Sequence, residues 1–325
     1  MSYSKVNLKY AAEVIAERKI TAELVYNQRR AEIIKKFPEI GEYIKQISDI
    51  NLKIFDAVGD RENFERRLGE IAETNERVQK IIEKKLIENG YPANYLEIPY
   101  TCKKCADSGY VDGITCSCRI DLLNQLNVRD LESASPAKDC RFDNFSLQYY
   151  SNDPDSSGNS PRETMNYIFD YCKAYADDFS LDSISLCLSG ATGLGKTHLS
   201  LAIGNVAAKK GYSVFYSSAQ NLIAGIEREK FSVAKSSHAE DKALNCDLLI
   251  IDDLGSEFVT QFVISEVYNI LNTRINCSKP TIISTNLSAA ELAERYTERI
   301  TSRIIGNYYY LHFVGQDIRQ IKKVF

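Results

Sequence analysis

The sequence predicts an α/β protein: a domain built on a parallel sheet, preceded by an all-α region and a small four-cysteine knuckle. Three observations predict it. Beyond about Thr164, short continuous apolar stretches alternate with helix-length amphipathic patterns, as in a parallel sheet covered on both faces. Residues 1 to about 90 are rich in Glu, Lys, Arg, Ile and Leu, with Pro38 the one proline. Four cysteines stand in two close pairs between Cys102 and Cys118. The expected division is a helical region over 1–95, a cysteine segment over 96–135, a linker over 136–163 and the α/β domain over 164–325.

In the helical region, Leu68, Ile71, Val78, Ile81, Ile82 and Leu86 recur near helical spacing. Several helices are expected, with breaks near Pro38–Gly41 and Gly59–Asp60. The first 90 residues hold 17 Lys/Arg against 16 Asp/Glu, so the segment is close to neutral. Two readings stand: a small helical domain with solvated charges, or an apolar stripe offered to a partner.

Turn residues from Glu88 to Tyr100 close that region. Cys102-x-x-Cys105 and Cys116-x-Cys118 follow, separated by ten residues that include Gly109 and Gly113. Two tight turns joined by a folded-back hairpin can bring four thiolates into a tetrahedral zinc site. A redox dithiol or an iron–sulfur cluster is the competing reading. With all four positions taken by protein, a zinc ion here would be structural, and it would supply much of the segment's folding energy. The other cysteines, Cys140, Cys172, Cys187, Cys246 and Cys277, read as reduced and mostly buried thiols. A short helix is expected around Ile120–Leu126. Ser151 to Pro161 is linker chemistry, rich in Ser, Asp, Asn, Pro and Gly.

In the α/β domain a helix is expected over Met165–Ala176 and another over Lys196–Lys210. Strands are expected within "ISLCLSG", "YSVFYSS", "CDLLIIDD", "PTIISTN" and "NYYYLHFV". Gly190-Ala191-Thr192-Gly193-Leu194-Gly195-Lys196-Thr197 fits G-x-x-x-x-G-K-[ST] between strand and helix. Glycines let backbone amides turn toward phosphates, and the helix adds its positive dipole end. Lys196 can reach the outer phosphates, the Thr197 hydroxyl can take a position on Mg²⁺, and His198 is counted with the cradle. "LLIIDD" buries a strand and ends on Asp252, expected to hold magnesium, and Asp253, placed where a base would activate water. Asn286, at the polar tip of "TIISTN", can orient that water or cap the next helix, although the box at Ser288–Glu291 already supplies that cap. Arg295, Arg299 and Arg303 recur every four residues, expected on one side of a helical stretch, and Arg319 follows the last strand.

"GATGLGKTHL", "LLIIDDLG", "TIISTNLS" and "RITSRIIG" together resemble the AAA+ ATPases of the DnaC/DnaI-type replicative helicase loaders, whose core is similar to that of the IstB-like transposition ATPases. The resemblance covers about residues 140–325 and, more weakly, the cysteine segment and helical region. It implies a P-loop NTPase domain that uses ATP and Mg²⁺. It assigns Lys196 and Thr197 to Walker A, Asp252 and Asp253 to Walker B, Asn286 to sensor I, Arg303 (with Arg299 as rival) to an arginine finger, and Arg319 to sensor II. Many AAA+ members carry Glu where this chain has Asp253, so slow, assembly-stimulated hydrolysis is expected. The implied partners are a hexameric DnaB-type helicase, single-stranded DNA and further copies of the chain. Lys230, Phe231 and Lys235 are candidates for the DNA contact. The alternatives are an IstB-like ATPase assisting a transposase and a non-hydrolysing, protein-binding adaptor.

Composition narrows these classes. The chain has 325 residues, 44% hydrophobic and 26% charged, with a formal net charge of −4. That charge sets up no overall field for a polyanion, so nucleic-acid contact needs a local patch. No apolar run is long enough to span a membrane, and the N-terminus has no apolar signal core; a cytoplasmic protein without membrane contact is expected.

Overall fold

The computed structural model describes residues 3–58, 64–134, 139–154, 158–231 and 239–321. They divide into two compact units, Tyr10–Arg119 on one side and Met1–Lys9 with Ile120–Phe325 on the other.

The first unit is made by three helices and a hairpin: α1 (Lys5–Lys36, whose first turn belongs to the other unit), α2 (Pro38–Val58), α3 (Phe64–Glu88), β1 (Tyr110–Val111) and β2 (Ile114–Thr115). The break between α1 and α2 falls at Phe37, where the following proline disfavours helical backbone. The expected break at Gly59–Asp60 lies outside the described residues. Ile33, Ile40, Ile44, Val78, Ile82 and Leu86 form the core, so three of the six spaced positions on α3 face inward; Leu68 and Ile71 are half-buried and Ile81 points outward. Glu32 ties this bundle to the turn after it, accepting from Lys36 Nζ at 2.7 Å, Tyr91 OH at 3.1 Å and Tyr95 OH at 3.0 Å.

The second unit runs α4 (Ser117–Ala134, its first turn in the other unit), α5 (Pro161–Asp177), β3 (Ser185–Ser189), α6 (Lys196–Lys209), β4 (Val214–Ser218), α7 (Ala219–Phe231), α8 (Ala239–Asn245), β5 (Leu248–Asp252), α9 (Gln261–Asn276), β6 (Thr281–Thr285), α10 (Ala289–Tyr296), α11 (Glu298–Asn307), β7 (Tyr308–His312) and α12 (Ile318–Ile321). Each of the five expected strands is present. They form one sheet in the order β4-β5-β6-β3-β7, every neighbouring pair parallel. Along β3, Leu186 and Leu188 face one apolar core while Cys187 faces the other. Period-two alternation therefore buries both faces of the central strands β3, β5 and β6, which is why their sequences show little polar alternation. α5 and α6 cover the first face; α7, α9, α10 and α11 cover the second.

Arg274 stitches the lower edge of this sheet. It is fully buried and donates to the carbonyls of Ala243 at 2.8 Å, Cys246 at 3.0 Å and Pro280 at 2.6 Å, and to Thr281 Oγ1 at 2.8 Å. Its fork ties carbonyls from the end of α8 and from the loops entering β5 and β6 to one cation.

Two expectations need correction. The helix expected around Ile120–Leu126 extends through α4 to Ala134. The stretch 140–150, expected inside a linker, is packed structure: two short 3-10 turns, Phe142–Asn144 and Leu147–Tyr149, lead to Tyr150, which is buried. Phe142, Phe145 and Leu147 lie against the first core, so apolar area outweighs the polar composition around them. Cys140, Cys172, Cys187 and Cys246 are buried thiols outside any disulfide, whereas Cys277 is exposed. Among the described residues no helix is long and apolar enough to cross a membrane.

Candidate functional site

The glycine turn connects β3 to α6 at the carboxyl edge of the sheet, where parallel α/β folds bind ligands. Its shape depends on missing side chains. Gly193 has φ +76°, and a Cβ there would stand 1.9 Å from Asp317 Oδ1. Gly195 caps α6 at φ +88°, with Phe145 2.8 Å from where a Cβ would be. Ile318 N–H donates to the Gly193 carbonyl at 3.1 Å, and Tyr150 OH donates to the Leu194 carbonyl at 2.9 Å, so the turn is clasped from both sides.

Lys196 opens α6, buried, with Nζ donating to the carbonyls of Gly190 at 2.6 Å and Ala191 at 2.7 Å. Burial lowers its pKa, opposed by Asp253 and Asp252 and reinforced by Arg319. Those four charges, drawn from three separate stretches of the chain, thus share one electrostatic site. Thr197 Oγ1 donates to both Asp252 oxygens at 2.9 Å. A hydroxyl and a carboxylate side by side beneath the glycine turn are the hard-oxygen donors that suit magnesium. Asp253 takes the left-handed conformation at φ 53°, and burial raises its carboxyl above the usual range, with Asp252 adding to the effect.

A cavity of about 470 Å³ lies beside these groups. Thr192, Gly193, Leu194, Gly195, Lys196, Thr197, His198, Asp252, Asp253 and Arg319 all line it, so ten residues picked out in the sequence converge. Its remaining wall was missed. Asn144, Phe145, Ser146 and Tyr149 come from the supposed linker, and Phe145 meets the His198 ring edge-on at 5.4 Å. His198 Nε2 is also 2.8 Å from the Arg141 carbonyl. The aromatic density of "RFDNFSLQYY" was the available signal for this wall.

The remaining predicted residues lie apart from the cavity lining. Asn286 is exposed one residue past β6, and Ser288 caps α10 through a reciprocal box with Glu291. The arginine row does not share one helix. Thr297, at φ 132°, separates α10 from α11, leaving Arg295 on the former and Arg299 and Arg303 on the latter. No glycine or proline marks that break; the buried hydroxyl of Tyr296 is held by Glu257, and Arg295 donates to the Glu257 carbonyl at 2.6 Å. Arg303 donates to Asn272 Oδ1 and Tyr268 OH, each at 2.8 Å, and stacks on the Tyr268 ring. Arg299 is exposed. In the candidate DNA stretch, Lys230 is paired with Glu266 at 2.7 Å and Glu240 at 3.5 Å, which balances its charge locally. Phe231 is 74% exposed against Phe262, and Lys235 lies outside the described residues.

The cysteine centre belongs to the first unit. Cys102, Cys105, Cys116 and Cys118 bring their sulfurs within 4.8 Å of one another, with Cys102–Cys116 at 3.8 Å and Cys105–Cys118 at 3.5 Å. Tetrahedral Zn–S bonds of about 2.3 Å put sulfurs about 3.8 Å apart, so the tetrad fits that ion. The glycines act as expected: Asp112 and Gly113, both at positive φ, turn the hairpin between β1 and β2. Asp107 is a missed member, buried and accepting the Thr101 and Cys102 amides at 2.7 and 2.8 Å. Burial alone would raise the Cys105 thiol, but the Gly109 amide and the neighbouring thiols bring it down to about 7.

A carboxyl raised by folding opposes the fold when ionised, an effect present above its folded pKa and absent below the unfolded value. Replacing Asp253 with Asn, which tolerates left-handed backbone, is therefore expected to leave stability at neutral pH unchanged or higher. Thermal melts across pH check this.

Residues 175–307 match the family model of the IstB-like ATP binding protein. Curated relatives include the chromosomal replication initiator protein DnaA of Campylobacter jejuni subsp. doylei, 31% identical over 143 residues, 43% of this chain and 32% of that protein. They also include the replicative helicase loader DnaC of Buchnera aphidicola subsp. Acyrthosiphon pisum, 26% identical over 189 residues, 57% of this chain and 71% of that protein. The chain thus spans about a third of the length of the DnaA relatives it matches. Of solved structures, a DnaC helicase loader aligns over 53% of this chain and 98% of its own at 26% identity, with a TM-score of 0.44. DnaI aligns over 58% and 92% at 21% identity, with a TM-score of 0.43. The resemblance to DnaC-type proteins read from the motifs is borne out, as is the α/β fold with its parallel sheet.

Proposed function

We propose that this chain is an ATP-dependent loader of a hexameric DnaB-type replicative helicase onto single-stranded DNA, working in the cytoplasm. The observation that carries the nucleotide part is the Thr197–Asp252 pair lying beside the glycine turn and Lys196, in one cavity with Asp253 and Arg319. Backbone amides from Gly190 to Gly195 and the α6 dipole would hold the phosphates, and Lys196 would exchange its two carbonyl partners for the outer phosphates. Thr197 and Asp252 would hold Mg²⁺, which supplies charge neutralisation on the triphosphate. Phe145 and Tyr149 offer apolar surface for the base. Asp253 would take the proton of the attacking water, Asn286 would orient that water once the site closes, and Arg319 would face the γ-phosphate. Zinc on the cysteine tetrad would hold that segment together.

The loading role is supported by the similarity to DnaC over more than half of the chain. The helical region is the proposed helicase grip. The test is capture of a purified DnaB-type helicase by the full-length protein, with and without ATP. Capture and ATP-dependent transfer to single-stranded DNA are expected; a protein that retains neither helicase nor DNA is no loader. The IstB-like family match supports a second reading, assistance to a transposase, and selective capture of a transposase would favour it.

Self-association would bring an arginine from one copy to the nucleotide of the next. Arg303 matches that role by resemblance, but its guanidinium is held by Asn272 and Tyr268, whereas Arg299 is exposed. Arg303→Ala is expected to keep nucleotide affinity and lose assembly-stimulated hydrolysis about 1000-fold. Stimulated turnover that survives in Arg303→Ala and disappears in Arg299→Ala would move the finger to Arg299.

A further inference from the structure

Three hydroxyls converge on one carboxylate. Besides Thr197, Tyr216 OH from β4 donates to Asp252 Oδ2 at 2.8 Å, and Ser284 Oγ from β6 donates to Oδ1. The sheet places them there: Ile251 pairs with Ile283 and Ser218 with Asp252, so residues from both flanking strands stand level with the end of β5. Tyr216, Asp252 and Ser284 are all buried, and no described acidic group other than Asp252 accepts from either hydroxyl.

Ser284 has a second attachment. Its Oγ accepts the Asp253 amide at 2.8 Å, and its carbonyl accepts the Leu254 amide at 2.8 Å. Next to it, Thr285 Oγ1 donates to the Leu254 carbonyl at 2.7 Å. A hydroxyl has one proton, and Ser284 commits it to Asp252 while its lone pair takes Asp253 N–H. Asp253 is thereby latched in its left-handed conformation, an unusual one for a residue with a Cβ.

We propose that Tyr216 and Ser284 are positioning residues of the magnesium–nucleotide site, with both hydroxyls aiming the Asp252 carboxylate and Ser284 also locking the Asp253 turn to it. This rests on the nucleotide reading above and adds the residues that orient its metal-holding carboxylate. Partners of this kind set the direction and basicity of a ligand that they do not replace, and losing one typically costs 10–100-fold in metal affinity. The two residues differ in consequence. Of the two aspartates, the Tyr216 hydroxyl bonds Asp252 alone, so its loss should act on the metal. Ser284 touches both aspartates, so its loss should act on the metal and on the water-activating step.

The test measures nucleotide affinity of the full chain against magnesium concentration for wild type, Tyr216→Phe, Ser284→Ala and Ser284→Thr, with kcat at saturating magnesium. With chelator present, all four are expected to bind nucleotide alike. The magnesium midpoint is expected to rise about tenfold in Tyr216→Phe with kcat near wild type. In Ser284→Ala the midpoint rises similarly and kcat falls as well, and Ser284→Thr, which keeps the hydroxyl, recovers both. A wild-type midpoint in Tyr216→Phe, or nucleotide affinity lost equally with and without magnesium, overturns the proposal. Should Ser284→Ala fail to fold, Tyr216→Phe, which removes one oxygen, decides by itself. Wild-type protein that binds no magnesium nucleotide removes the nucleotide reading itself, an outcome distinct from an unshifted midpoint.

Discussion

Removing the zinc proposed for the tetrad, by chelation or by Cys105→Ser, is expected to unfold the segment from Thr101 to Cys118 in the full-length protein. The reason is the poverty of any other core there. Tyr110, Val111 and Ile114, the large apolar residues of the hairpin, are exposed, whereas Cys105 and Cys116 are buried. A two-stranded hairpin of this size is marginal on its own. Structural zinc contributes on the order of 10 kcal/mol in small domains, far more than the Asp107 latch and one cation–π contact between Arg119 and Tyr110 supply. Amide exchange across residues 101–118 should accelerate sharply, with one zinc released per chain. Purified protein without zinc, and unchanged exchange after chelation, would dismiss the metal.

Lys196→Ala should abolish measurable nucleotide binding while leaving the protein folded. The lost charge-assisted contacts are worth about 3 kcal/mol or more, over 100-fold in affinity. Stability should not follow, because burial disfavours this cation. Its pKa is lowered, so the charged form opposes the fold at neutral pH, and that penalty disappears with the side chain. Calorimetry with magnesium ATP, paired with thermal melts, reads the two effects separately. Retained heat of binding in Lys196→Ala would place the phosphates somewhere other than the glycine turn.

Much of the site was legible because its chemistry is local. A phosphate cradle needs glycines, a lysine and a hydroxyl at fixed offsets across one strand–turn–helix, and Gly190 to Thr197 carry all of them in eight consecutive residues. The central strands β3, β5 and β6 were legible because two covered faces leave little polar alternation to confuse the pattern. The second rank of the site was not legible. Tyr216 and Ser284 look like ordinary strand residues until the sheet sets β4 and β6 beside β5. Phe145 and Tyr149 sit in a stretch whose Ser, Asp and Asn neighbours suggest a linker. The Thr297 break has no punctuation of its own, since Glu257, 39 residues earlier than the Tyr296 it holds, imposes it.

By itself, then, the sequence determined the five strands of the α/β unit, the phosphate turn with its two aspartates and the cysteine tetrad, because each of these is written in short-range spacing. Tertiary structure alone decided the strand order β4-β5-β6-β3-β7, the wall that residues 144–149 give the cavity and the hydroxyls trained on Asp252. Those depend on which strands become neighbours, and crossover connections between parallel strands leave that choice to packing rather than to adjacency along the chain.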